Sequence, residues 1–311
     1  MDDPPAELDL PRGVALAWGL AADPQRGPKR EMSVERIVEA AVAIADADGL
    51  GAVSMAAVAA RLGYTTMSLY RYVSAKDDLV LLMQEEATGV PPDDVCGEEG
   101  WRARLAAVFR ASVQVYVRHP WMLDIPITGT PATPNSAAWM DVMLEALEGT
   151  PLSEEERLAV ALTVAGHARW YGTIIAAYTR QARDRGMSQE EITAAEDRLF
   201  AGLITADDYP SLHRAVQAGV FRSDADPFVF GLERILDGVD AHIARLEAGG
   251  AVAPAPSWPE AEPEEIGADK RVRAARKAVR DAEKALRAAR AQERQARREA
   301  RERAGLPRDD G

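Results

Sequence analysis

The 311-residue sequence lacks the features that mark secreted, disulfide-linked or membrane-spanning proteins. Its single cysteine, Cys96, excludes an internal disulfide framework and a cysteine-based zinc site. No apolar run reaches the length that crosses a bilayer. The first residues include Asp2, Asp3 and Glu7 where a secretory signal would carry basic residues. We therefore expect a cytoplasmic protein with no membrane contact.

Motifs for catalysis are also missing. The sequence has no glycine-rich phosphate loop, no HExxH pair, no Ser-His-Asp spacing and no paired carboxylates with obvious partners. Its four histidines show no close acidic spacing typical of a metal site, and they are His119, His167, His213 and His242. We expect no enzyme activity, no metal and no cofactor.

Basic residues are outnumbered by acidic ones, and they are unevenly distributed along the chain. The formal net charge is −13, which by itself argues against a nucleic-acid partner. Residues 270–303 nevertheless contain 14 basic and five acidic residues, which leaves 23 basic and 45 acidic residues in the rest of the chain. Any DNA-binding surface outside this segment must be small and local.

Strand signals are absent too, because no stretch alternates convincingly between apolar and polar residues. The sequence predicts an all-α protein whose C-terminal helical domain contains helices near 101–118, 135–147, 153–183, 188–206, 208–219 and 226–247. The predicted organisation comprises a flexible N-terminal arm (1–30), a helix-turn-helix domain (31–87), a helical domain (101–248), a Pro-rich linker (249–267) and a charged helical tail (268–304).

Two short predicted helices are joined by a tight turn at Gly63. Ser54 is a good N-cap for the first helix, and Leu62, Leu69 and Val73 are spaced to anchor the second one inward. This pattern is typical of a helix-turn-helix, which holds a short helix rigidly so that its exposed face enters the major groove. The outward face is rich in hydroxyls and aromatic rings, and it comprises Thr65, Thr66, Ser68, Tyr70, Arg71 and Tyr72.

The stretch from Ser33 to Leu82 closely resembles the tetracycline-repressor (TetR) family of regulators. The resemblance is carried by Leu62-Gly63, by Ser68-Leu69-Tyr70-Arg71-Tyr72-Val73 and by Lys76-Asp77-Asp78-Leu79. It implies that Thr66, Met67, Ser68 and Tyr72 read bases and that Ser54, Tyr70 and Lys76 contact phosphates. Met55 and Ala56 replace the polar or basic residues common in the family, so their helix should contribute little to readout, whereas Arg71 offers an additional contact.

Residues 101–247 resemble the ligand-binding domain of the same family less specifically, through Arg118-His119-Pro120-Trp121 and Trp170-Tyr171-Gly172. The resemblance implies a buried small-molecule effector and a homodimer, whose face we expect near 153–183 and 226–247. Aromatic and sulfur-containing side chains with a few polar tips suit such a pocket, although core packing is the better explanation for each of them taken alone. The candidates are Tyr116, Trp121, Met122, Trp139, Met143, His167, Trp170, Tyr171, Ile174 and Tyr178.

The expected function is therefore a transcriptional repressor that binds double-stranded operator DNA as a homodimer and is released by a small molecule. An all-α adaptor that binds only protein, or an enzyme without a recognisable motif, remains the alternative. The tail contains a thin heptad seam, Val272, Val279 and Leu286, and its roles as coiled coil, DNA tether or solvated spacer stay open. We favour a partly solvated helix whose charge assists binding to DNA.

Overall fold

The computed structural model describes residues 10–20, 32–127, 133–223, 225–250 and 264–304. Throughout these ranges the regular structure is helical and there is no strand, so the predicted all-α class is confirmed. The chain divides into two compact units, Met1–Ala251 and Val252–Gly311, each of which is described by itself. No helix within the described ranges has the length and apolar character that crossing a bilayer requires.

In the described residues of its N-terminal part, the first unit contains five helices and a 3-10 turn, Leu50–Ala52. The helices are α1 (Arg12–Ala17), α2 (Val34–Asp48), α3 (Met55–Leu62), α4 (Thr66–Leu69) and α5 (Lys76–Thr88). Serines cap α2 and α3: Ser33 accepts a hydrogen bond from the Arg36 amide at 3.3 Å, and Ser54, the predicted cap, accepts one from the Ala57 amide at 3.1 Å. Apolar residues from α2 to α5 form one shared core.

Helix α1 corrects the prediction of an irregular N-terminal arm for residues 10–20. It packs against α5, and the backbone amide of Gly13 donates a hydrogen bond of 2.9 Å to the Asp78 carboxylate. The apolar patch from Val14 to Leu20 was visible in the sequence, but six residues without a capping side chain give a weak helix signal. The rest of the predicted arm, including Arg26, Lys29 and Arg30, lies outside the described residues.

Over the ranges described between residues 89 and 250, the first unit contains seven helices and two 3-10 turns, Pro120–Asp124 and Val220–Arg222. The helices are α6 (Asp93–Cys96), α7 (Trp101–Arg118), α8 (Pro134–Ala146), α9 (Glu154–Arg185), α10 (Gln189–Leu203), α11 (Pro210–Gln217) and α12 (Pro227–Glu247). Predicted and observed boundaries agree closely, because proline, glycine and N-cap residues mark most helix ends.

The long helix α9 organises this helical domain. Its start is fixed by a capping box in which Ser153 and Glu156 each bind the other's backbone amide. Its end is fixed by Gly186 in the left-handed conformation. His167 lies 2.7 Å from the Phe228 carbonyl and His242 lies 2.8 Å from the Glu156 carboxylate, so α9 and α12 run antiparallel.

Three sets of hydrogen bonds join the helical domain to the N-terminal helices. Asp46, near the end of α2, binds Nδ1 of His119 at 2.8 Å and accepts from Nε1 of Trp121 at 2.7 Å. The Glu85 carboxylate accepts from the Asn135 amide at 2.8 Å, and Trp139 donates to the Gly89 carbonyl at 2.9 Å. Movements in α7 or α8 are therefore coupled directly to α2 and α5.

The second unit contains α13 (Glu264–Ala268) and α14 (Lys270–Arg303). Asp269 caps α14 by accepting hydrogen bonds from the amides of Arg271 and Val272, at 2.7 Å and 3.0 Å. The predicted long charged helix is therefore present. Within the predicted Pro-rich linker, the structure describes residues 249–250 and 264–267. The second of these ranges belongs to α13.

Candidate nucleic-acid interface

The turn between α3 and α4 depends on Gly63. This residue adopts φ 76° and ψ 28°, a left-handed conformation that costs a side-chain-bearing residue energy but costs glycine almost nothing. The amides of Gly63 and Tyr64 then bond back to Ala60 and Ala59, which closes the end of α3. The chain leaves α3 at a fixed angle and enters α4 two residues later.

Helix α4 is short, and two devices hold it in place. Thr65 is its N-cap, and its hydroxyl lies 2.9 Å from the Ser68 hydroxyl and accepts from the Ser68 amide at 3.4 Å. Leu69 and Val73 are completely buried in the shared core, and Leu62 packs against it. The predicted anchors are therefore confirmed, although the helix itself spans only Thr66–Leu69.

The outer face of α4 and the following turn presents large side chains to solvent. Met67 is 72% exposed, Tyr70 is 45% exposed, and Arg71 is exposed. Met67 and Tyr70 lie three positions apart and so are neighbours on one face, and exposed apolar side chains grouped beside polar ones indicate a contact surface. A thioether can touch a thymine methyl, and a guanidinium can bond a base edge or a phosphate.

The other predicted DNA-contacting residues fall into three groups, which differ in burial and in hydrogen bonding. Thr66 and Tyr72 are half-buried, and Tyr72 packs against the core, so its ring is held more tightly than predicted. Thr65 and Ser68 lie on the exposed side but are engaged with one another. Ser54 at the start of α3 and Lys76 at the start of α5 are exposed.

Lys76 lies at the positive end of the α5 macrodipole, beside two acidic residues. Ala75 precedes it and supplies no side-chain cap, so the first amides of α5 lack that partner. The Asp78 carboxylate is oriented by the Gly13 amide and the Ser74 hydroxyl, at 2.9 Å and 3.2 Å. A cation beside helix N-terminal amides is a favourable arrangement for a phosphate group.

The structure does not bring the ten predicted effector residues together in one pocket. Trp121 and Met122 are buried in the core shared with the N-terminal helices, and Tyr116 packs against that core. Trp139 and Met143 lie in the core of the helical domain. Trp170 is 55% exposed. Helical spacing identified apolar faces correctly, but it could not distinguish pocket from core.

His167 and Tyr171 do come together, in a stack of aromatic rings between α7, α9 and α12. Phe109 lies 5.3 Å from His167, and Tyr171 lies 4.6 Å from Phe228, measured between ring centroids. The Tyr171 hydroxyl donates to the Asp226 carboxylate, and partial burial with this hydrogen bond raises the pKa of Tyr171 to about 12.

Ile174 and Tyr178 lie further along α9, and both are partly buried. The Tyr178 hydroxyl donates to Glu196 of α10 at 2.6 Å, and this bond with partial burial raises the pKa of Tyr178 to about 12. Tyr178 therefore joins α9 to α10.

A cleft of about 440 Å³ separates α5 from α7 and α8, and sequence reasoning identified only Trp139 among its lining residues. Arg110, Gln114 and Arg118 of α7 line one wall, and Glu86 and Val90 line the other. The repeat of Arg110, Gln114 and Arg118 at every fourth position was visible in the sequence. Its role was hidden, because long polar side chains on a helix are usually solvated.

A rigid helix-turn-helix carried on an all-α domain defines the class of DNA-binding transcription regulators. Residues 37–83 match the family model described as bacterial regulatory proteins, tetR family. Residues 92–243 match the model for the tetracyclin repressor-like C-terminal domain. The chain belongs to the tetR family of bacterial transcription regulators.

Two sequence relatives support this assignment. The chain is 35% identical over 251 residues to the HTH-type transcriptional repressor DrrR1 of Streptomyces coeruleorubidus, covering 78% of this chain and 90% of the relative. It is 28% identical over 212 residues to an HTH-type transcriptional regulator of Saccharopolyspora erythraea, covering 68% and 84% respectively.

Solved structures show the same fold. ActR of Streptomyces coelicolor in complex with (S)-DNPA superposes with a TM-score of 0.55 at 23% identity, covering 69% of this chain and all of that one. ActR in complex with actinorhodin superposes with a TM-score of 0.55, also at 23% identity, covering 68% and 98%.

Proposed function

We propose that this regulator represses transcription by binding a palindromic operator as a homodimer and that a small molecule releases it. The observation that carries the proposal is the exposed face of Met67, Tyr70 and Arg71 on a helix fixed by the buried Leu69. Repression is the activity named for the DrrR1 relative. A protein that binds chromosomal DNA acts in the bacterial cytoplasm, and nothing in this role requires catalysis.

The dimer face lies on α9 and α12. Leu158, Leu162 and Trp170 are 43%, 49% and 55% exposed, and their spacing of four and eight residues places them along one side of α9. The antiparallel neighbour α12 exposes Val229 and Phe230, at 47% and 61%. A large exposed apolar surface on two adjacent helices favours association, and two copies would form a four-helix bundle.

Dimerisation has a clear test in Leu162→Glu, because burying a carboxylate in the bundle would cost several kcal/mol. Sedimentation should then show a monomer, and affinity for a palindromic duplex should fall more than tenfold. Val117→Glu is the matched control, since Val117 is 47% exposed on α7 and is not part of the proposed dimer face on α9 and α12. A dimeric Leu162→Glu protein would place the interface elsewhere.

The effector site is the cleft between α5, α7 and α8. Its volume of about 440 Å³ falls within the range of small-molecule sites. Its wall includes Thr88 and Gly89 at the end of α5 and also His119, which binds Asp46 of α2. An occupant there would alter the packing of both helices, and a coupling of about 1–3 kcal/mol is typical of such regulation. ActR, which has the same fold, binds small molecules.

The lining of this cleft favours an aromatic effector with polar substituents. Trp139 offers a ring surface, and Gln114 supplies both a donor and an acceptor. Arg110 and Arg118 face acidic residues, Glu86 and Glu98 among them, so the site provides both charge signs. Of the ten residues predicted from the sequence, Trp139 is the one that we assign to this site.

The DNA-binding proposal is tested by selection from random duplexes with the full chain. A half-site repeated with two-fold symmetry, its centres one helical turn apart or a multiple of that, is the expected product. Duplexes without symmetry, or no enrichment at low salt, would contradict the proposal. Footprinting of the selected duplex should show two protected major-groove segments.

The effector proposal is tested by filling the cleft. Ala111 lines it, so Ala111→Trp should abolish binding of the aromatic probe 1-anilinonaphthalene-8-sulfonate, whereas Ala137→Trp on the exposed side of α8 should not. The probe should also lower the operator affinity of the unmodified protein. Equal probe binding by the two variants would place the effector site elsewhere.

A further inference from the structure

The DNA-binding domain has an unfavourable charge for its partner. Residues 32–88 contain four basic and eight acidic residues, a net of −4. Duplex DNA carries one negative charge per about 1.7 Å of its axis, and neutralising phosphates supplies most of the sequence-independent affinity. The exposed Arg71 and Lys76 can serve a few phosphates, but the domain as a whole is repelled by DNA. The electrostatic part of the affinity must therefore come from another segment.

Helix α14 has the opposite charge. Its 34 residues carry 14 basic and five acidic side chains, and Lys270–Arg280 contains six basic residues and no acidic one. Arg273, Lys277, Arg280 and Lys284 recur at intervals of three or four residues, so they share one face, and all four are exposed. A helix of this length is about 50 Å long and matches roughly one and a half turns of duplex.

The position of these cations within the helix is costly for stability. Basic residues near a helix N-terminus oppose the macrodipole, and the first three turns of α14 hold six of them. The Asp269 cap keeps the helix start fixed despite this cost. In the last three turns, by contrast, Glu293 forms an ion pair with Arg297 at 3.1 Å. Basic residues that are kept at a helix N-terminus despite this cost to stability indicate a binding role for that end of the helix.

The apolar residues of α14 do not support the competing roles. Val279 and Leu286 are 57% and 50% exposed, and the next position of the heptad is Glu293, so the seam is too short for a stable coiled coil. The side opposite the cations consists mainly of alanine, including Ala274, Ala278, Ala282 and Ala285. Helices that lie on membranes carry larger apolar residues on that side.

We propose that the basic face of α14 binds the phosphate backbone of duplex DNA, without reading its sequence, and supplies the electrostatic affinity that the acidic DNA-binding domain lacks. The proposal rests on the proposed operator-binding function. In a dimer the two tails together add a net charge of +18, counted from 28 basic and ten acidic residues. Specificity stays with α4, because phosphate contacts position a protein but do not distinguish bases.

The test compares two full-length variants with equal numbers of changes. In the first, Arg273, Lys277, Arg280 and Lys284 are each replaced by Gln, which removes the four charges of the basic face. In the second, Ala274, Ala278, Ala282 and Ala285 are each replaced by Gln, which leaves the charge intact. Circular dichroism checks that both keep the helix. Fluorescence anisotropy then measures affinity for an unrelated duplex and for the selected operator between 50 and 200 mM KCl.

The charge variant should lose at least tenfold in affinity at 50 mM KCl on both duplexes, with an unchanged ratio between them. Since each phosphate contact contributes about 0.9 to the slope of log K against log salt, the slope should become shallower by about 3 or more per dimer. The alanine-face variant should match the unmodified protein.

An unchanged slope in the charge variant would overturn the proposal, and a higher affinity would overturn it in favour of a tail that binds the acidic body of its own chain. Loss of binding to phosphatidylserine vesicles with an unchanged slope would replace DNA by a membrane. Failure of the operator function is a different result: the full chain would then bind both duplexes equally, whatever the tail contributes.

Discussion

Polar side chains face outward in the DNA-binding domain and inward in the helical domain. Around α4, Tyr70, Arg71 and Lys76 are exposed, above anchors that are completely buried. Along α9, three side chains bond to neighbouring helices of the same chain. His167 lies beside the Phe228 carbonyl, Tyr171 donates to Asp226 and Tyr178 donates to Glu196. The first arrangement suits a rigid surface for a rigid partner. The second stores hydrogen bonds inside the domain, where a change in helix packing can exchange them.

The largest effect on stability is expected at the buried anchor of α4, and it should contrast with a small effect on the exposed face of the same helix. Leu69→Ala should lower the free energy of unfolding by about 2–5 kcal/mol, because it opens a cavity at a completely buried position. Met67→Ala, two residues away and 72% exposed, should change it by no more than about 0.5 kcal/mol. Urea unfolding measures both. Similar losses in the two variants would show that the helix has no distinct inner face.

Close packing of α7 against α9 gives the next largest effect. A Cβ atom added at Gly172 would lie 2.7 Å from Cβ of Tyr116, so Gly172→Ala must displace one helix and should cost about 1–3 kcal/mol. Gly202→Ala on α10 meets no atom within 4 Å and should be neutral or stabilising by up to about 1 kcal/mol. Thermal unfolding distinguishes them, and a harmless Gly172→Ala would contradict the close contact.

The smallest effect is expected from the tyrosine hydroxyls that face inward in the helical domain, and a pH titration measures it. Tyr171 and Tyr178 have pKa values raised to about 12, so each contributes stability below its ordinary pKa near 10, and this contribution is lost as the pH rises from 10 to 12. Absorbance at 295 nm should show two tyrosines ionising near pH 12. Tyr171→Phe and Tyr178→Phe should each remove one of them. Removal of a step near pH 10 would mean that the hydrogen bond is not formed.

The fold and the inner and outer faces of α4 could be predicted because their signals are local. Ser33 and Ser54 each accept a hydrogen bond from a backbone amide three residues later. Gly63 makes the turn by its own backbone conformation, and Leu69 and Val73 follow the helical repeat. These features need no knowledge of distant residues. The family resemblance in the same stretch then assigned roles that the residue types alone left open.

The cleft that we propose as the effector site could not be predicted in the same way, because it depends on how distant segments pack. Trp121 is spaced like a pocket residue, yet it binds Asp46, 75 positions earlier, and lies in the other core. The cleft combines Glu86 from α5 with Gln114 from α7 and Trp139 from α8. The sequence pattern of each helix contains no information on which neighbour it meets. Helix α1 was missed for a similar reason, since its packing on α5 gives it stability that its six residues lack.

The exposed face of α4 as the DNA-reading surface is the central claim, and Arg71→Ala tests it most directly. Anisotropy on the selected duplex should show an affinity about 5- to 150-fold lower than that of the unmodified protein, with unfolding unchanged, as expected for the loss of one base or phosphate contact worth about 1–3 kcal/mol. The control Arg185→Ala, which removes another exposed arginine, at the C-terminal end of α9, should bind as tightly as the unmodified protein. Equal affinities for all three proteins would contradict the account.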